Sequence, residues 1–107
     1  LYKGCLEPIL LRLLKDNGRM YGYQMTQMVK EITKGELSIT EGALYPLLHK
    51  LEEQGVVETE TEMNGNRMRK YYSLTKVGKK QTALAMDEMK AFMQSLEFIV
   101  NPKTIIG

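Results

Sequence analysis

Apolar residues recur at the spacing of an α-helix in two stretches near the start of the chain. The first stretch precedes Asn17-Gly18, a pair typical of a helix end, and the second precedes Gly35. Residues 17–20 between them are predicted to be a loop. We predict one helix buried through Leu6, Ile9, Leu10, Leu13 and Leu14, and a shorter one buried through Met25, Met28, Val29 and Ile32.

A third helix is predicted to begin at Glu41 and to end near Gly55. The side chain of Thr40 can accept a hydrogen bond from the free N–H groups at the start of this helix. Pro46 removes one backbone hydrogen bond and crowds the carbonyl of Gly42, so we expect the first turn to be loosened, tightened or kinked. One side of the helix is apolar and is predicted to be buried through Leu44, Leu47, Leu48 and Leu51.

Two strand-like runs follow, from Val56 to Glu62 and from Arg67 to Leu74, on either side of Asn64-Gly65. The Asn-Gly pair is a strong hairpin signal, so we predict that these two residues form the turn. We therefore expect arginines of the second strand to pair with glutamates of the first. The cross-strand neighbours in this register are Glu62 and Arg67, Glu60 and Arg69, Thr59 and Lys70, and Val57 and Tyr72.

The last predicted element is a long helix that is capped by Thr75 and ends near Asn101, before Pro102. Apolar residues in its second half alternate at spacings of three and four, which is the rhythm of a coiled-coil seam. Two heptads are too short to stand alone, so the seam packs either on a second copy of the chain or on its own domain. The seam residues, predicted here as a dimer interface, are Met86, Met89, Met93, Leu96 and Val100.

Three short helices, a hairpin and a long helix indicate a fold that is mainly α with a small β-hairpin. The order is that of a winged helix-turn-helix followed by a long C-terminal dimerisation helix. We predict a DNA-binding domain over residues 1–74 and a dimerisation helix with a tail over residues 75–107. A chain of 107 residues has room for a single modest core, in agreement with this division.

Charge and cysteine content narrow the classes of partner. The net charge is only +2, but six of the 15 basic residues lie between Arg67 and Lys80, where there is no acidic residue. Such a segment is either a solvated face or an anion-binding surface, and double-stranded DNA is a common large polyanion. The single cysteine, Cys5, excludes an internal disulfide and suits a reducing cytoplasm. No apolar run approaches the roughly 20 residues of a membrane span, so we expect no membrane contact.

The exposed side of the third helix carries the candidate DNA-contacting residues. Gly42 and Ala43 allow backbone N–H groups at the helix start to approach a phosphate closely. Tyr45, His49 and Lys50 are placed to reach base edges or phosphates. Each also has a purely structural interpretation: Tyr45 packs on the hairpin, His49 is a solvated surface histidine, and Lys50 pairs with a neighbouring glutamate, Glu52 or Glu53.

Five short stretches together resemble, in order and spacing, the PadR family of bacterial transcriptional regulators. The resemblance covers roughly residues 4 to 80. The stretches are Gly4-Cys5-Leu6-Glu7, Tyr21-Gly22-Tyr23, Gly42-Ala43-Leu44-Tyr45-Pro46, Leu51-Glu52-Glu53-Gln54-Gly55 and Arg69-Lys70-Tyr71-Tyr72-Ser73-Leu74-Thr75.

The resemblance implies a homodimeric winged-helix repressor of the subclass with one C-terminal helix, which binds a near-palindromic operator. Residues that match the family's helix-turn-helix positions are Tyr23, Thr40, Gly42, Tyr45 and Pro46. Arg69 and Lys70 match its wing, and Arg67 stands in for a second wing arginine found in many members. Some relatives bind phenolic acids or flat multidrug compounds. The eight methionines are therefore either core filler or part of a pocket for a small aromatic effector at the dimer interface.

The residues also bear on two other function classes, an enzyme and a protein-binding module. One histidine, no cluster of metal ligands and no glycine-rich phosphate loop argue against an enzyme, a metal site or a bound cofactor. The alternative to DNA binding is a winged-helix module that binds another protein. The salt dependence of the affinity distinguishes DNA binding from protein binding, because binding through phosphates weakens by orders of magnitude as the salt concentration rises.

Overall fold

The computed structural model of the chain describes residues 4–103. Residues 1–3 and 104–107, which complete the two predicted domains, lie outside the described residues. The fold class is confirmed: the chain is mostly helical, with a small antiparallel sheet and a long last helix. The elements are α1 (Leu6–Asn17), β1 (Met20–Tyr21), α2 (Gly22–Ile32), α3 (Glu41–Glu53), β2 (Val57–Asn64), β3 (Arg67–Leu74) and α4 (Lys76–Val100).

The core is formed by the apolar faces of α1, α2 and α3 packed against the sheet. Burial of these side chains removes apolar surface from water, which is the main favourable term in folding. Ile32 is an exception to the predicted stripe of α2, because this last residue of the helix extends past the core and is 66% exposed. The fully buried large side chains include Leu10, Leu11, Leu14, Met25, Leu44, Leu48, Leu51, Val56 and Val57.

The sheet has three strands, in the order β1-β3-β2, and every pairing is antiparallel. Strand β1 pairs Met20 with Tyr72 and Tyr21 with Tyr71. The sequence predicted a loop at β1, because two residues are too short to show the alternation of a strand. This short strand places the start of α2 directly beside the hairpin of β2 and β3, which we call the wing.

The predicted hairpin register is wrong by two residues. The two-residue turn is Gly65-Asn66, and the neighbours are Asn64 and Arg67, Glu62 and Arg69, Thr61 and Lys70, Glu60 and Tyr71, Thr59 and Tyr72, and Val57 and Leu74. Gly65 has a φ of 66°, whereas Asn66 is not among the residues with positive φ. A positive φ at the first central residue only is typical of a type II′ turn. The prediction of an Asn64-Gly65 turn assumed a type I′ turn, which needs a positive φ at both central residues. A slip of two residues leaves every side chain on its predicted face of the sheet.

Helix α3 begins as predicted, with the Thr40 Oγ1 accepting a hydrogen bond from the Ala43 N–H at 3.3 Å. Pro46 lies inside a helix that continues without a break from Glu41 to Glu53. The Ala43 N–H also donates to the Thr40 carbonyl at 3.2 Å, as in a 3₁₀ turn. The Leu44 N–H donates to the same carbonyl at 3.0 Å, which is the ordinary α-helical bond, so the first turn is α-helical and the distortion expected from Pro46 is absent there.

Helix α4 is joined to the rest of the fold through its first turns. Thr75 caps it by accepting a hydrogen bond from the Gly78 N–H at 3.0 Å, as predicted. The buried Gly78 lies so close to β2 that a Cβ added there would be 2.0 Å from the Val56 carbonyl oxygen. From Lys90 to the end of the described chain every residue is exposed. The second half of α4 therefore extends away from the core.

Gly78→Ala tests this close approach. A methyl group at 2.0 Å from a backbone oxygen forces α4 away from β2, so we expect a loss of about 2–3 kcal/mol in the free energy of unfolding, measured in urea. Gly42→Ala is the matched control, because Gly42 is an exposed helical glycine with open space around its Cα. It should leave stability unchanged or raise it by up to about 1 kcal/mol. Equal effects of the two changes would contradict the packing described.

Candidate nucleic-acid interface

The structure places all predicted α3 site residues on one exposed side of that helix. The opposite side is buried because its leucines form the core, so the remaining residues must face outward. The exposed residues are Thr40, Gly42, Ala43, Tyr45, Pro46, His49 and Lys50. On this side the first turns carry only small or uncharged side chains, while the exposed carboxylate of Glu41 stands at the start of the helix.

Tyr45 packs against the first residue of α2. A Cβ added at Gly22 would lie 2.5 Å from the Tyr45 hydroxyl oxygen and 2.8 Å from its ring carbon Cζ. Gly22 is buried, whereas Tyr45 remains 44% exposed. Tyr45 therefore packs on the start of α2, a contact that the sequence did not predict. Gly22 was missed as a site residue, although it stands between the two tyrosines of the Tyr21-Gly22-Tyr23 stretch.

A groove of about 700 Å³ separates the start of α2 and α3 from the wing. Five predicted site residues line it, namely Tyr23, Tyr45, Arg67, Arg69 and Lys70. Tyr72 also lines the groove, and its burial raises the pKa of the phenol. The structure does not place Thr40, Gly42, Ala43, Pro46, His49 or Lys50 in the groove; they lie on the exposed side of α3.

Lys70 is tied to α3 by an ion pair. Its Nζ lies 3.3 Å from the Glu52 Oε1, and the Thr59 hydroxyl donates to the other oxygen of Glu52 at 3.1 Å. The hydrogen bond from Lys70 lowers the pKa of Glu52. These contacts couple the end of α3 to both strands of the wing. Because one carboxylate already neutralises Lys70, its charge is less available to a ligand than sequence alone suggests.

The alternative, structural interpretation of Lys50 is not supported by the structure. Glu52 binds Lys70, and Glu53 Oε1 lies 2.8 Å from the His49 Nε2, so neither glutamate pairs with Lys50. This contact between His49 and Glu53 spans one helical turn, and both side chains are exposed. Lys50 has no ion pair among the described residues, which leaves its ammonium group accessible on the outer side of α3.

The predicted pairing of wing glutamates with Arg67 and Arg69 is also wrong. Glu60 and Glu62 both bind Arg19, a residue that the sequence analysis did not select. These two hydrogen bonds raise the pKa of the Arg19 guanidinium. Arg69 instead lies 4.4 Å over the ring centre of Tyr21. Within residues 4–103, neither Arg67 nor Arg69 has a carboxylate partner. Arg67 is exposed, whereas Arg69 is half-buried against Tyr21.

The predicted dimer seam divides into two parts. Met86 and Met89 are half-buried, whereas Met93, Leu96 and Val100 are exposed. An open apolar groove of about 860 Å³ runs between the start of α1 and the middle of α4, where it is lined by Cys5, Pro8, Ala85, Met89, Phe92 and Leu96, among others. The seam therefore does not pack on its own domain along its C-terminal part.

Over residues 4–103, three or more histidine, cysteine, aspartate or glutamate side chains nowhere come together as a metal site would require. No helix in this range combines the length and apolar character needed to cross a bilayer.

The Gly22→Ala variant tests the packing of Tyr45. The added methyl group displaces the ring, so we expect a loss of about 1–3 kcal/mol in the free energy of unfolding. In a Tyr45→Ala background the same change should cost less than about 0.5 kcal/mol, because the obstructing ring is gone. Urea unfolding of all four proteins measures the coupling. An equal cost of Gly22→Ala in both backgrounds would show that Tyr45 does not pack there.

Comparison with solved structures supports this assignment of elements. A transcriptional regulator from Clostridium thermocellum aligns with a TM-score of 0.84 and 25% identity, over 92% of this chain and 96% of that chain. Bacillus subtilis PadR, solved in complex with operator DNA, aligns with a TM-score of 0.68 and 30% identity. That alignment covers 78% of this chain and 46% of the Bacillus protein.

Sequence comparison identifies the family. A Lysinibacillus sphaericus protein called uncharacterized protein X is 32% identical over 103 residues, which cover 89% of this chain and 94% of the relative. The model of the transcriptional regulator PadR-like family matches residues 10–84, which include α2, α3 and the wing. The chain therefore belongs to the PadR-like family of transcriptional regulators.

Proposed function

We propose that this chain binds double-stranded DNA through the exposed side of α3 and the wing, and that it acts as a repressor. The observation that carries the proposal is the groove between them, where Tyr45 of α3 lies on the same surface as Arg67 and Arg69. A recognition helix and a flanking wing that carries arginines are the two parts with which winged-helix proteins hold a duplex. The family itself is one of transcriptional regulators, not of enzymes.

The start of α3 is suited to the major groove. Its free N–H groups carry partial positive charge, and Gly42 with Ala43 leaves them accessible to a phosphate. Tyr45, His49 and Lys50 follow on the same side of the helix. In a helix that lies in the major groove, side chains at such positions are long enough to contact base edges. In this arrangement α3 reads the sequence, and the wing arginines bind the adjacent backbone without reading it.

The structure of Bacillus subtilis PadR with operator DNA supports a DNA partner for this chain, because the two proteins share 30% identity. One helix and one wing cover only a half-site. Two copies related by a two-fold axis place their helices about one turn of DNA apart, so the operator should be a near-palindrome.

The C-terminal part of α4 is the proposed dimer interface. Phe92, Met93 and Leu96 are each between 42% and 54% exposed, an arrangement that is unfavourable for an isolated helix in water. A second copy that packs on this seam and on the neighbouring groove at α1 would bury them. The same groove is the proposed site for a small aromatic effector, since Met89 and Phe92 offer adaptable apolar contacts.

Removal of wing charge tests the DNA contact. We expect Arg67→Ala/Arg69→Ala to weaken binding to any duplex by about 10- to 100-fold at 0.1 M salt. The slope of log affinity against log salt should fall by roughly 2, because two phosphate contacts are lost. Fluorescence anisotropy with a labelled 30-base-pair duplex of mixed sequence measures both.

The matched control is Lys90→Ala/Lys103→Ala, which removes two exposed charges, one from the second half of α4 and one from the segment that follows it. It should change the affinity less than three-fold and leave the slope unchanged. If both double variants bind like the wild type, the wing does not contact DNA. Absence of any salt-dependent DNA binding would favour a module that binds protein.

Dimer formation through α4 is tested by Leu96→Glu. A carboxylate in the buried seam is unfavourable, so this variant should sediment as a monomer at micromolar concentration, where the wild type sediments as a dimer. Leu84→Glu is the control, because Leu84 is 64% exposed on α4 but lies more than 100° around the helix from Leu96. A dimeric Leu96→Glu variant, or a monomeric wild type, would contradict this interface.

A further inference from the structure

Arg19 binds the face of the wing that carries Arg69 and Tyr71. Arg19 itself belongs neither to the recognition helix nor to the wing, since it lies in the chain just before β1. Its Nη1 donates to the Glu60 Oε1 at 2.6 Å, and its Nη2 donates to the Glu62 Oε2. The guanidinium also stacks 4.2 Å from the centre of the Tyr71 ring. A planar guanidinium can stack flat on an aromatic face while its edges donate to two carboxylates, a geometry that an ammonium group does not reproduce.

The sheet order explains how one residue reaches both glutamates. Strand β3 lies between β1 and β2, so Arg19 extends across Tyr71 of β3 to the acidic side chains of β2. The Tyr21 and Tyr71 rings meet edge to face, with their centres 5.5 Å apart. Stacking therefore fixes the path of the Arg19 side chain across the sheet.

Arg19 and Arg69 compete for the same carboxylate. Glu62 is the direct cross-strand neighbour of Arg69, and opposite charges at such positions normally pair. In the structure Glu62 binds Arg19 instead, while Arg69 lies over Tyr21. Arg69 therefore has no carboxylate partner, because its cross-strand neighbour Glu62 binds Arg19.

We propose that Arg19 is a positioning residue for DNA binding, which holds Glu60 and Glu62 so that Arg69 stays free for a phosphate. This inference rests on the proposed function. Glu60 and Glu62 remain about half exposed or more, so without Arg19 their charges would face the same solvent as the wing arginines. One carboxylate would then pair with Arg69, and the other would repel the DNA backbone.

A thermodynamic cycle tests the proposal with the full chain and the labelled 30-base-pair duplex. Arg19→Gln should weaken binding about ten-fold at 0.1 M salt, and the salt slope should fall by roughly 1, since Arg69 is lost as a phosphate contact. In a Glu60→Gln/Glu62→Gln background the same change should cost less than two-fold and leave the slope unchanged. The difference between the two backgrounds measures the action of Arg19 through the glutamates.

Arg12→Gln is the matched control, because Arg12 also forms an exposed ion pair, with Asp16 at 2.8 Å on α1. It should change affinity less than two-fold. Arg19→Lys keeps the charge and most of the stem, so it serves as a second variant if Arg19→Gln proves unstable in a thermal melt. It should lose about three-fold in affinity, and only when both glutamates are present.

The outcomes separate this inference from the proposed function. If wild-type protein binds the duplex but Arg19→Gln costs the same in both backgrounds, Arg19 contacts DNA itself and the positioning role is wrong. If Arg19→Gln has no effect in either background, the role is wrong as well. If wild-type protein shows no salt-dependent binding, the proposed function itself fails.

Discussion

Burial of the leucine face of α3 is the constraint on which the rest of the structure depends. Leu44, Leu48 and Leu51 are fully buried, so the orientation of the helix about its own axis is fixed. Everything on its other side must then face solvent, including the small residues of the first turns. Thr40 caps the helix, and the helix continues through Pro46 without a break. The first turns are therefore helical, and their N–H groups point toward the accessible end of α3. A recognition surface follows from core packing, before any charge is considered.

The position of β3 in the middle of the sheet determines the charge of the wing. One face of β3 carries Lys70, which is tied to α3 through Glu52, and the other carries Arg69 and Tyr71. Because β1 lies along the edge of β3 that is away from β2, Arg19 beside β1 can reach across this second face of β3 to the glutamates of β2. The charged surface of the wing therefore includes a residue from outside the hairpin, because Arg19 in the segment before α2 contributes its positive charge. Its net effect on a polyanion depends on which arginine holds the carboxylates.

The sequence predicted the helices well because periodicity and capping are local properties. Thr40, Thr75 and the leucines of α3 were placed correctly from spacing alone. The hairpin register was not, since Asn64-Gly65 and Gly65-Asn66 are both acceptable turns and differ only in backbone geometry. The partners of Glu60 and Glu62 could not be predicted either, because Arg19 is some forty residues away and the two-residue strand beside it leaves no pattern. Tyr45 was predicted as a site residue, but its packing on Gly22 could not be predicted, because that contact depends on the angle between α2 and α3.

The central claim is that α3 and the wing form one DNA-facing surface, separate from the apolar seam of α4. Amide chemical shifts of the isotope-labelled full chain, followed by NMR during titration with the mixed-sequence duplex, test this most directly. We predict shifts concentrated in residues 40–50 of α3 and 65–70 of the wing, with the second half of α4 unchanged. Shifts confined to α4, with α3 and the wing unaffected, would contradict the account.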